Sequence, residues 1–488
     1  MKAALGLTFV VAGIYLLTAS GHLDGQDQEY YYRMARAIAQ EHSFAIEPLV
    51  FQDTEIAGKR GRDGHFYAEY AAGLPLTVAP LVVFADFCST QVPEFQANYH
   101  WMRDRPNDVL ERILVSYFDL GVVAVTAGVL LLLVKRLGYG NAAGIYVAAT
   151  FALCTFAWGQ GRIINPEPLQ TLLLVLAFFL TLAATEKRAF LGGCALGFAV
   201  LVKSTSILAL PAMLMLPNYG NPQRSAKLRT VVAVVLPVLG GLLCYSLYNY
   251  TRFGNFFATG YNISGRAAEL GGNGFGNPVT GFYGLLFSTG RGLIWYAPPA
   301  LAGVVGYGCF YRHNKSAATA FAVLVVIWIS LHSCYQGWDS GWGWGPRYLL
   351  PILPFMLVPA AEILKHRAGK IICAATAVVG LLIQIPGALV DFMASGRAGM
   401  SLFADTVPEH STAAFVSWRN FQIAGSEIVR HFALLKQGQM DVAWQTFRAT
   451  WIFPFTFCLA ALLLLSGLSL IFTDLRAQRR LARSPMTE

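Results

Sequence analysis

Long apolar runs, punctuated by short basic turns, set the terms on which this chain can fold. Such runs lie near residues 3–20, 110–134, 141–161, 167–185, 189–203, 204–218, 229–251, 291–311, 316–335, 346–363, 371–393 and 451–473. Roughly 18 or more apolar residues in helical form cross the hydrocarbon of a bilayer. There a helix satisfies its own backbone donors and acceptors, which lipid cannot do for it. Only 13% of the 488 residues are charged, about half the share of a soluble domain. The expected fold is an all-α polytopic membrane protein with about 12 transmembrane helices over residues 1–475, followed by a short basic tail at 476–488. Residues 3–19 also have the layout of a signal peptide. A retained first helix is the preferred reading, and either one puts residue 21 onward outside the cytoplasm.

The basic residues orient these spans. Lys135 and Arg136, Lys187 and Arg188, Arg224, Lys227 and Arg229, Arg312 and Lys315, and Lys365, Arg367 and Lys370 all occupy short connections. With the amino terminus inside, twelve spans leave every one of them cytoplasmic, along with Arg476, Arg479, Arg480 and Arg483. The net charge of +9 therefore reads as orientation and contact with membrane lipids, not as a nucleic-acid surface, because no basic stripe with interleaved aromatics occurs. The run at 74–87 is apolar but short, and crossing there would put the later basic turns outside. It is expected to be interfacial or re-entrant. The segments 21–109, 252–290 and 394–450 then face outward, and 417–435 reads as a surface helix.

The outer segments hold the chemistry. "DGQDQEYYYRMARAI" follows the first run directly. Read as a surface helix, it puts Asp27, Tyr31, Met34 and Ile38 on one face by i, i+3/i+4 spacing. Asp24 or Asp27 could simply cap that helix, or one could act as a general base on an arriving hydroxyl. Glu167 lies between two prolines in "NPEPLQ", where an acid suits a helix start, and it could equally be a second carboxylate facing Asp27. Lys203 breaks "LVKSTSILALP"; a lysine near a membrane belongs at a helix end or with a partner. In "GWDSGWGWGPRYLLPILP" tryptophans alternate with glycines before Arg347, whose guanidinium fork suits phosphate. Arg291 stands between glycines in "STGRGL", where snorkelling to headgroups competes with function. "GRDGHFYAEYAAGLPL" adds Tyr67 and Tyr70.

The eight cysteines show no C-x-x-C spacing and fall mostly in apolar runs, as small core residues do. A bridge between Cys88 and Cys334, both near the outer face, is left open. His65 has no His or Cys companions at ligand spacing, so no zinc site is expected. No nucleotide fingerprint occurs.

Taken in order, "DQEYYYRMARAI", "DGHFYAEYAAGLPLTVAP", "NPEPLQTLLLVLA", "LVKSTSILALP", "YNYTRFGNFFATGY", "LLFSTGRGL" and "GWGWGPRYLLPILP" resemble the GT-C superfamily of integral-membrane glycosyltransferases, which includes aminoarabinose transferases and protein mannosyltransferases. The likeness covers most of residues 1–393. It implies transfer of a sugar from a polyprenyl-phosphate donor to a glycan, lipid or protein acceptor at the outer face, with no cofactor and no metal. By that resemblance the catalytic residues are Asp27 as base, with Asp24 as the alternative, and Glu167 as the second acidic position. Lys203 and Arg347 would hold the lipid phosphate, with Arg291, Tyr67, Tyr70 and Trp344 beside the substrate. A polytopic transporter or lipid flippase is the competing function, though neither repeated halves nor charges at the midplane are evident.

Overall fold

A computed structural model describes residues 1–51, 54–91, 109–183, 185–216, 224–263, 274–408, 410–446, 448 and 452–481. Parts of all three expected outer segments, at 52–53, 92–108, 264–273, 409, 447 and 449–450, and residues 482–488 of the expected tail lie outside the described residues. The rest is almost wholly helical. Helix α1 (Lys2–Thr18) is followed by α2 (Gln26–Arg36), which ends in a wide π turn at Ala37–Glu41. Two small antiparallel hairpins follow, Leu49–Phe51 with Thr54–Ile56 and Gly58–Arg60 with Phe66–Ala68. Then come α3 (Gly73–Gln91), α4 (Val109–Ser116), α5 (Phe118–Arg136), α6 (Asn141–Leu153), α7 (Pro166–Thr181), α8 (Glu186–Val202) and α9 (Arg224–Phe253). Helix α10 (Pro278–Phe287) falls within the second expected outer segment, and α11 (Pro299–His313), α12 (Lys315–Cys334) and α13 (Arg367–Leu389) follow it. Next come α14 (Phe392–Thr406), α15 (Thr412–Phe421) and α16 (Glu427–Lys436), in the last segment expected to face outward, before the final α17 (Ile452–Leu481).

Among the described residues, six helices are long and apolar enough to cross a membrane, joined by shorter apolar ones. Their packing relies on glycine, because helices in lipid gain from close backbone approach. Gly6 of α1 and Gly467 of α17 lie against each other, and Gly193 and Gly197 of α8 receive the backbone of α9. The apolar core runs through α1, α5, α6, α7, α8 and α12. A second cluster, built on Tyr30, Tyr31, Tyr32, Phe66, Tyr70, Val78 and Val202, fastens the segment that follows α1 to the bundle.

The structure departs from the expected spans at several points. Residues 346–363 form a 3-10 turn (Arg347–Ile352) and two short helices (Leu353–Leu357, Ala360–Ile363) instead of one rod. Pro346, Pro351, Pro354 and Pro359 lack the N–H a continuous helix needs. Residues 204–218 likewise split into a 3-10 turn (Ser204–Ala209) and one short helix (Leu210–Met213). The expected span at 141–161 breaks after Leu153, and the one at 291–311 breaks at Pro298 and Pro299. The run at 74–87 belongs to a helix of 19 residues, long enough to cross by length and composition. It packs along α2, the π turn and α4. The expected single surface helix at 417–435 is two helices, α15 and α16, turning at Gly425 against the backbone of Trp418. The expected basic tail begins as a continuation of α17. Cys88 and Cys334 are both free thiols.

Candidate active site

Three helix breaks meet at one level of the bundle. Asp27 sits in the first turn of α2, whose N-cap is Gly25 in extended conformation, with no side-chain cap. The capping role open to Asp27 is therefore not taken. Its carboxylate instead accepts a hydrogen bond from the Tyr70 hydroxyl at 2.6 Å and one from Arg347 at 3.2 Å. Arg347 heads the 3-10 turn that its neighbouring prolines impose, and its other terminal nitrogen donates to the Asn165 side chain at 3.3 Å. Asn165 and Pro166 open α7 as the sequence anticipates, and the backbone N–H of Asn165 donates to Asp119 of α5 at 2.7 Å. That bond fixes the turn that carries Glu167.

Glu167 is 1% exposed and lies in the first turn of α7. Its carboxylate accepts from the Lys203 ammonium at 2.6 Å. It lines the same cavity as Asp27, as expected of a second acid there, but in this state it holds a lysine. Lys203 is the extended residue between α8 and the following 3-10 turn, so the broken helix aims it inward. Its ammonium also lies 4.3 Å from the centre of the Tyr348 ring, a cation–π contact. Asp27, Tyr31, Tyr70, Glu167, Lys203, Arg347 and Tyr348 line one cavity. Its two acids and two cations balance formally. Tyr31 and Tyr70 pack with ring centres 4.7 Å apart. Burial, with the Asp27 charge next, holds the Tyr70 hydroxyl well above the ordinary tyrosine pKa, so it remains a proton donor to Asp27.

Other expected site residues lie elsewhere. Arg291 is fully buried and neither snorkels nor faces the cavity. It forks onto both oxygens of Glu427 at 2.9 and 2.7 Å and donates to the carbonyls of Gly341 and Gly343. Trp344 is buried, donates to Gln384 at 2.7 Å, and packs edge-on against Tyr296. Tyr67 donates to Asp63 at 2.6 Å in the second hairpin. Its pKa is pushed up to about 12 by burial and by that aspartate. Asp24 pairs with His22 at 2.9 Å, and the other ring nitrogen of His22 meets Asp441 at 2.6 Å. Burial opposes a charge on His22, but the two carboxylates outweigh it and raise its pKa to about 10. With both nitrogens held by carboxylates, His22 is an imidazolium cation tying the segment after α1 to the one before α17. The sequence reading did not single out Tyr348, Asn165 or Tyr261. Tyr348 adjoins Arg347, Asn165 opens the stretch that holds Glu167, and Tyr261, which also lines the cavity, ends the quoted "YNYTRFGNFFATGY"; those stretches are the available signal.

Residues 116–248 match the family model described as dolichyl-phosphate-mannose-protein mannosyltransferase. No curated protein matches the sequence. Among solved structures, ArnT from Cupriavidus metallidurans bound to undecaprenyl phosphate is similar at 12% identity and a TM-score of 0.44, over 96% of this chain and 76% of that one. The apo oligosaccharyltransferase of Archaeoglobus fulgidus is similar at 10% identity and a TM-score of 0.48, over 89% of this chain and 63% of that protein. The family match bears out the resemblance to GT-C membrane glycosyltransferases read from the sequence, in the segment that carries Glu167 and Lys203.

Proposed function

We propose that this chain is a glycosyltransferase that moves a sugar from a polyprenyl-phosphate donor to an acceptor hydroxyl at the outer face of the membrane. The observation that supports this most is one cavity lined both by Asp27, which meets Arg347 at 3.2 Å, and by the Lys203–Glu167 pair, joined at 2.6 Å. A donor phosphodiester carries one negative charge, and it competes with the two carboxylates for the two cations. When it takes Arg347, Asp27 loses its ion pair and becomes more basic. The acceptor oxygen then attacks the anomeric carbon while its proton passes to Asp27. The bond from that carbon to the phosphate oxygen breaks, and the departing lipid phosphate gains a second negative charge. Lys203 and Arg347 stabilise that charge where it develops. Attack from the side opposite the phosphate inverts the anomeric centre. Glu167 holds Lys203 in place, and Tyr70 orients Asp27.

The test is mass spectrometry of lipid and polysaccharide extracts from cells with and without the gene. A glycan modification that disappears with the gene supports the proposal. Uptake of labelled substrate by the purified protein in liposomes, with no glycosidic product, contradicts it and favours a transporter.

A further inference from the structure

The Asp27–Arg347 pair lines two cavities, not one. On one side lies the pocket with Lys203 and Glu167, and on the other a chamber of about 320 Å³. The chamber is different in chemistry. Its wall carries the amides of Gln26, Gln28 and Asn165, together with Trp342 and the α14 residues Phe392 and Met393. Asp27 and Arg347 are the charged residues of its lining, and they neutralise each other. The start of α14 does not attract anions into it, because the Asp391 carboxylate accepts from the N–H groups of Met393 and Ala394 at 2.8 and 2.7 Å.

Trp342 is held there by unusual means. Ser340, Gly341, Gly343 and Gly345 all have φ between 58° and 147°, conformations that cost an ordinary residue but not glycine. Arg291 grips the carbonyls of Gly341 and Gly343 on either side of Trp342. Asp339, just before them, accepts from Arg419 and from Asn420 of α15. Beneath the indole, a Cβ at Gly396 would come within 2.5 Å of the Trp342 ring. The fold thus spends a strained loop, a buried ion pair and a glycine on placing one ring in this chamber.

We propose that the chamber is the acceptor subsite and that it takes an uncharged carbohydrate, stacked on Trp342 and hydrogen-bonded by the three amides, with one hydroxyl delivered to Asp27. This rests on the reading of Asp27 as the base. A flat ring with neutral donors and acceptors fits the apolar face and hydroxyls of a sugar. A phosphorylated acceptor would find one cation, already paired.

The experiment is saturation-transfer NMR on the full chain in nanodiscs, with maltotriose, chitotriose, glucosamine 1-phosphate and a serine-containing tetrapeptide as probes. The neutral trisaccharides should receive saturation. Trp342→Ala should weaken their binding by roughly tenfold, the order of one lost aromatic contact. Gly396→Ala, which displaces the ring without removing it, should weaken it too, and Trp342→Phe should retain most of it. Preference for the phosphosugar or the peptide, no sugar binding at all, or binding unchanged in both Trp342→Ala and Gly396→Ala would overturn the proposal. Binding of undecaprenyl phosphate is measured in parallel by native mass spectrometry and should survive Trp342→Ala. If wild-type protein ignores that lipid while sugars still bind through Trp342, the donor reading falls and the carbohydrate chamber stands.

Discussion

Asp27 and Arg347 stand 320 residues apart in sequence and 3.2 Å apart in space. One opens a surface helix beside the first span, and the other opens a proline-broken segment after α12. Their contact closes the wall between a pocket rich in charge and a chamber without net charge. Under the proposed function, an ion pair at that point lowers the basicity of Asp27 until an anion competes for its arginine.

The Lys203–Glu167 pair gives the first prediction. The two side chains are 17% and 2% exposed, so removing the lysine strands a buried carboxylate. Lys203→Ala should destabilise the protein by about 3 kcal/mol, and Lys203→Ala with Glu167→Gln should recover most of that loss. Both variants should lose donor binding. Thermal unfolding in detergent and undecaprenyl phosphate titration separate the two effects. Equal stability of the single and double variants would show that the pair is not buried as described.

Arg291 should behave as a structural residue. Its guanidinium and Glu427 are 1% and 5% exposed. Arg291→Ala should cost roughly 3–5 kcal/mol. Lysine should restore little, since it cannot reproduce the fork onto one carboxylate and two carbonyls. Differential scanning fluorimetry checks this; a stable Arg291→Ala protein with weak phosphate binding would return Arg291 to the donor site.

Much of this arrangement was legible in the sequence, and the part that was not has a common cause. The apolar runs, the basic turns and the amphipathic face carrying Asp27 and Tyr31 follow from local periodicity. Glu167 at a helix start and Lys203 at a break follow from the prolines and polar residues around them. The continuity of the spans at 291–311 and 346–363 was misjudged because hydropathy ignores which N–H groups proline removes. Arg291 could not be placed, because its partner Glu427 lies 136 residues away. Nor could the tryptophan that lines the chamber be told apart. Trp342 and Trp344 are two residues apart in a run of left-handed backbone, where no regular period says which ring faces out.

His22 makes stability depend on pH. Its folded pKa is raised to about 10 by Asp24 and Asp441, above its unfolded value of about 6.5. Its contribution is therefore complete below about pH 6.5 and fades as pH rises toward 10. His22→Gln should lower the melting temperature most near pH 6 and least near pH 10. A difference that is flat across this range would contradict the double ion pair.

Orientation is tested by reporters. A tag at residue 220 should be accessible from the cytoplasm and one at residue 425 from outside. The reverse result would move the whole site to the other face of the membrane.

The most direct measurement concerns Asp27 itself. The oxygen of the Asp27→Asn amide can still accept from Arg347 while its NH2 donates to the Tyr70 oxygen, so the variant should fold, and it should bind undecaprenyl phosphate at least as tightly as the wild type because no carboxylate competes for Arg347. Transfer should nevertheless fall by about 10²- to 10⁴-fold, the usual contribution of a general base. An Asp27→Asn protein that transfers sugar at close to the wild-type rate would contradict the account.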